Sequence, residues 1–152
     1  MSSYESSVKL KGRIFAKLYN GDGVSLIAYT PNVITTTGIN NLIRKAVGQS
    51  SGQPAGAQFV AVGTGAGTIS AGSTLLANEI DRISASYSEP ASAQWMEDAI
   101  FGPGRAIGTI TEAGCFNSLN SGAGVMLAGQ NLNVTKTSAD TLEIQWIFSI
   151  SS

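Results

Sequence analysis

The sequence predicts a mainly β protein: an antiparallel sandwich or barrel with jelly-roll character and one amphipathic helix, at about residues 37–47. Three observations carry that expectation. Short segments of alternating apolar and polar residues recur along the chain. The clearest is Thr141 to Ser151, where Leu142, Ile144, Trp146, Phe148 and Ile150 share one face. Turn signals rich in Gly, Asn, Ser and Pro separate these segments, and only one stretch has helical periodicity.

From the start, Met1 to Ser7 is polar and reads as a flexible tail, with residues 8–152 forming a single β-rich domain. Val8 to Tyr19 alternates, placing Val8, Leu10, Ile14, Ala16 and Leu18 on one face and Lys9, Lys11, Arg13 and Lys17 on the other. Those four are nearly half of the nine basic residues, so this face is either a docking surface for an acidic partner or a lysine-protected edge strand. Asn20-Gly21-Asp22-Gly23 is a hairpin turn and Val24 to Tyr29 the returning strand.

After Pro31-Asn32, Val33-Ile34-Thr35 leads into the helix, with Thr36 or Thr37 as N-cap. Ile39, Leu42, Ile43, Ala46 and Val47 recur at i, i+3, i+4, i+7 and i+8, which predicts an apolar face laid over a sheet, and Gly48 supplies the stop. Arg44 and Lys45 suit the negative end of the helix dipole. Gln49 to Gly56 reads as a surface loop.

Phe59 to Val62 is apolar throughout, as expected of a strand buried on both faces. The following Gly63 to Thr74 is a Gly/Ser/Thr loop, and Leu75 to Arg82 interleaves apolar and charged residues over about one or two helical turns. Further strands are expected at Ile83 to Tyr87, Gln94 to Phe101, within Arg105 to Phe116, and at Val125 to Ala128. Glu89 to Ser92, Gly102 to Gly104 and Asn117 to Gly124 supply the turns.

Chemistry is sparse. Only 12% of the 152 residues are charged, about half the usual share, which favours a surface covered by other protein. The formal net charge of −1 offers no pull toward nucleic acid or anionic membrane, and no long apolar run or basic leader suggests a span or signal; the expected site of production is a cytoplasm. The single Cys115 lies among small and aromatic residues as a buried, inert thiol, and with no histidine the usual partner of a catalytic Cys or Ser is missing. Gly63 to Gly67 lacks the ending of a phosphate loop. Glu79, Asp81 and Glu112 could form a carboxylate site, but an architectural role fits better: Glu79 or Glu112 pairs with Arg82, or caps backbone amides beneath the Gly-rich loop. Asp22 and Asp140 are turn formers, and Trp95, Trp146 and Phe148 are core residues. No enzyme activity, cofactor or metal is expected.

One ordered set of motifs goes further. It runs through Thr36-Thr37-Gly38-Ile39-Asn40-Asn41-Leu42, then Ala61-Val62-Gly63-Thr64-Gly65 with Leu75-Leu76-Ala77-Asn78-Glu79-Ile80-Asp81-Arg82. Ile110-Thr111-Glu112-Ala113-Gly114-Cys115-Phe116 and Lys136-Thr137-Ser138-Ala139-Asp140-Thr141-Leu142 complete it. This order resembles a family of small tailed-bacteriophage virion proteins, comprising capsid decoration (cement) proteins and related tail-fibre or collar domains. The resemblance implies a non-enzymatic virion part. As a decoration protein it would sit on the outer capsid surface as a trimer or dimer and bind the major capsid protein, with Lys9, Lys11, Arg13, Lys17 and the tail as the contact. As a tail-tip, collar or fibre protein it would contact the host surface.

Overall fold

The computed structural model describes residues 7–48 and 58–151. Most of the expected tail (1–6), the expected loop (49–56) and Ser152 lie outside the described residues. Among these residues ten strands and one helix follow in order: β1 (Lys9–Asn20), β2 (Gly23–Pro31), β3 (Val33–Ile34), α1 (Thr36–Ala46), β4 (Phe59–Gly63) and β5 (Glu79–Ser84), then β6 (Ser86–Ser88), β7 (Gln94–Phe101), β8 (Gly108–Phe116), β9 (Met126–Lys136) and β10 (Thr141–Ser151).

They form two five-stranded antiparallel sheets, β2-β1-β10-β7-β6 and β3-β9-β8-β4-β5, so the fold is a sandwich. The chain crosses between sheets after β2, β5, β7 and β9, and the first strand pairs with the last, Lys9 opposite Ser151 and Tyr19 opposite Thr141. The jelly-roll character lies in these crossings; β8 and β9 instead stay together as a hairpin.

The alternation read in β1 and β10 holds. Ile14, Ala16 and Leu18 pack with Leu142, Ile144, Trp146 and Phe148 in one core, which Val60 and Val62 of β4 close from the opposing sheet. Ala61 points the other way, into a smaller cluster with Ile69, Leu76, Phe116 and Met126 on the outside of that sheet. β4 is therefore buried on both faces, as its continuous apolar run requires.

Five expectations change. β1 lies between β2 and β10 from Arg13 to Asn20, so it is an edge strand only at Lys9 to Lys11, where it pairs with β10 alone; Lys9 and Lys11 flank that open stretch, whereas Arg13 and Lys17 do not. The N-cap is Thr35, one residue earlier than expected. Its Oγ1 accepts the Gly38 amide at 2.9 Å and donates to the Met126 carbonyl, so position 35 satisfies helix and sheet together.

The helix also turns a different face to the sheet. Ile39, Ile43 and Val47 are 39%, 56% and 65% exposed, while Gly38 is buried and Asn41, Leu42 and Lys45 are half-buried. Gly38 decides this. A Cβ there would sit 2.5 Å from the Leu127 Cα, so the missing side chain lets the helix backbone rest directly on β9.

Leu75 to Arg82 makes no helical turn: Glu79 onward is β5, paired with the free edge of β4. Finally, β9 continues past Ala128 to Lys136, because pairing with β8 supports the polar Gln130, Asn131 and Asn133 that interrupt the apolar signal. Among the described residues no helix is long and apolar enough to cross a membrane.

Candidate functional site

The Gly-rich segment between β4 and β5 is fastened to the sheet beneath it. Glu112 of β8 is 1% exposed; its Oε1 accepts the amides of Gly65 at 3.1 Å and Asn78 at 2.7 Å, and its Oε2 accepts the amide of Ala77 at 2.9 Å. A side chain at Gly63 would place its Cβ 2.4 Å from Glu112 Oε1, and one at Gly65 would place it 2.6 Å away. Glycine is needed here for close approach. Thr111 Oγ1 donates to the Gly65 carbonyl at 2.6 Å, and Asn131 both accepts from the Ile69 amide at 2.9 Å and donates to the Gly67 carbonyl at 2.8 Å. Ile69 and Leu76 then bury in the smaller cluster, so the loop is a lid over that cluster.

Arg82 makes a second anchor. Its Nη2 lies 2.5 Å from Glu79 Oε1, its Nη1 donates to the carbonyls of Ser118 at 2.8 Å and Ala123 at 2.9 Å, and its guanidinium carbon stands 3.9 Å from the Phe116 ring centroid. This holds the Asn117 to Gly124 turn against β5. Of the three residues proposed for the ion pair, Glu79 and Arg82 come together, whereas Glu112 takes the alternative role, capping amides.

Asp81 pairs instead with Arg105, through Nε to Oδ2 at 2.9 Å and Nη2 to Oδ1 at 2.5 Å. Arg105 was missed because a lone arginine in a Gly-Pro-Gly turn carries no periodic signal. Glu79, Asp81 and Glu112 thus each have a structural partner. Among the described residues no three His, Cys, Asp or Glu gather as a metal site.

Other motif residues are also architectural. Lys136 is buried and donates to the Gly102 carbonyl at 3.0 Å, and burial lowers its pKa. Asp140 accepts the Thr137 amide at 2.8 Å, and that bond holds its pKa below the ordinary aspartate value. Cys115 is completely buried, with its pKa pushed well up first by that burial and then by the nearby Glu97 carboxylate. Trp146 and Phe148 lie in the core; Trp95 sits half-buried at its margin, its ring stacked on Phe148 at 4.8 Å.

No family model, curated protein or solved structure matches this chain.

On the outer face of β1 the four basic residues divide. Lys17 is half-buried, 3.9 Å from Glu143, whose Oε1 also accepts from the Tyr19 hydroxyl at 2.9 Å. That hydrogen bond raises the Tyr19 pKa, and beside Glu143 the Asp98 pKa is raised by burial and then by Glu143. Lys17 therefore belongs to a charge network of the sheet itself. Lys9, Lys11 and Arg13 lie toward the other end of the strand and are exposed. The face thus has a basic end and, around Asp98 and Glu143, an acidic one.

Proposed function

We propose that this protein is a non-enzymatic bacteriophage virion component, a capsid decoration protein that binds the assembled major capsid protein on the outside of the head. One observation carries the reading: Lys9, Lys11 and Arg13 stand exposed together on the outer face of β1, at the end away from Glu143. Protection of a sheet edge accounts for Lys9 and Lys11, where β1 pairs with β10 alone, but not for Arg13, which β2 flanks. A contact with an acidic protein surface accounts for all three. The low charge of the whole chain and the structural employment of the motif carboxylates support the same reading.

Decoration works by mass action. A ligand that binds only the assembled lattice stabilises it, and symmetry repeats a modest contact many times over the shell. A dimer or trimer of this chain belongs to the proposal, and sedimentation of the purified protein checks it. Cryo-electron microscopy of the virion is the decisive experiment. Density at regular positions over the shell, with β1 toward coat protein, is the expected result. Density on the tail alone overturns it and selects the second reading, a tail-tip, collar or fibre protein contacting the host surface. The observation favouring that second reading is an aromatic groove at Tyr87 and Trp95.

A further inference from the structure

At the margin of the core, where β6 leads into β7, lies a groove of about 380 Å³ lined chiefly by Tyr87, Trp95 and Ile150 and by Glu89, Ser92 and Gln94. Its size falls at the small end of the range of small-molecule sites. Trp95 is set by its stack on Phe148, at 4.8 Å between centroids and 19° between planes. Tyr87 is 58% exposed, and its hydroxyl donates to Glu89 Oε1, which fixes ring and carboxylate relative to each other.

The connecting loop is equally determined. The Gln94 amide donates to the Ala91 carbonyl at 3.2 Å and the Ile150 amide to the Ala93 carbonyl at 2.9 Å. Ala93 is thereby held at φ 55°, in the left-handed region that a residue with a Cβ enters only at a cost. Strain retained beside a cleft is what a preorganised binding site stores.

We infer that this groove binds a short neutral or amino-bearing glycan, with pyranose C–H faces against Tyr87 and Trp95 and hydroxyls hydrogen-bonded by Glu89, Ser92 and Gln94. Aromatic faces with a polar rim suit a ligand that is itself apolar on one side and polar around its edge. The charge selects further. Glu89 is the one ionisable carboxylate of the lining and no Lys or Arg joins it, which disfavours nucleotides, phosphosugars and uronic acids. The inference does not rest on the decoration reading: β10 separates β7 from β1, so a coat contact through β1 and an open groove are compatible.

The test uses the purified full chain and tryptophan fluorescence. Trp146 is fully buried and outside the groove, so Trp95, which lines it, is the tryptophan that a bound ligand touches. The probes are chitobiose, lactose, maltose and glucosamine, with digalacturonate as the acidic control. The expected result is a saturable change with at least one of the first four. Tyr87→Ala should weaken it at least fivefold, and Glu89→Gln should narrow the discrimination against digalacturonate. If Tyr87→Ala does not fold, Tyr87→Leu removes the ring while keeping apolar bulk. No saturable response to any of the four, or a response indifferent to loss of the Tyr87 ring, overturns the inference.

Discussion

The Asn78 backbone amide donates to Glu112 Oε1 at 2.7 Å, across 34 positions of sequence, and ties the end of the Gly-rich loop to the middle of β8. The same carboxylate holds Gly65 and Ala77, so one side chain closes the loop at both ends.

Glu112→Gln keeps the shape but turns an amide NH2 toward backbone N–H groups, leaving a buried donor without an acceptor. The expected loss is about 1–3 kcal/mol of stability, measured by urea unfolding. Hydrogen exchange at Gly65, Ala77 and Asn78 should accelerate; unchanged protection there would contradict the clamp.

Arg82→Met should cost more, about 3–5 kcal/mol, because it strands the Glu79 carboxylate in a site where its side chain is 9% exposed. Adding Glu79→Gln should recover part of the loss. Additive losses in that double-mutant cycle would show that the two residues are not coupled.

Burial raises the Glu97 pKa from 4.5 to about 7. Glu97 faces the core from β7, 3% exposed, and its Oε2 has no hydrogen-bond partner. Because the folded value exceeds the unfolded one, the folded state binds the additional proton. Its contribution is full below about pH 4.5, declines as pH rises through about 7, and levels off above. Relative to the wild type, Glu97→Gln should gain about 2–3 kcal/mol between pH 4 and pH 8 in denaturant titrations. A constant difference across that range would remove Glu97 as the cause.

Gly38→Ala drives a Cβ toward the Leu127 Cα, 2.5 Å away, and the obstacle is backbone that cannot swing aside. The helix should lift from β9 at a cost of about 1–3 kcal/mol. The check is a lower melting temperature with faster exchange of the α1 amides, whereas Ile43→Ala, on the exposed face, should be close to neutral.

Lys9→Glu combined with Lys11→Glu should leave the fold intact and reduce the number of copies retained on purified virions. Raising salt should reproduce part of that reduction with the wild-type protein. A charge-reversed protein that occupies virions at wild-type level counts against β1 as the coat contact.

Local pattern alone was enough to place β1 and β10, because a strand with one face in a core must alternate. It also marked the double burial of β4, where an unbroken apolar run needs cover on both sides. The Glu79–Arg82 pair and the amide-capping role of Glu112 were legible as alternatives, since charges this scarce seldom stand without partners. The sequence could not say which carboxylate does which. That depends on β5 pairing with β4, which brings Arg82 near Glu79 while the loop descends onto Glu112. It also could not reveal that Ile39, Ile43 and Val47 face outward, because periodicity identifies an apolar stripe but not what stands opposite it. The contact of Gly38 with Leu127 settles that, and it exists only once β9 is in place. The inner position of β1 from Arg13 to Asn20, the Asp81–Arg105 pair and the groove at Trp95 have the same origin. Each joins segments distant in sequence, and only the closed sandwich brings their side chains within bonding distance.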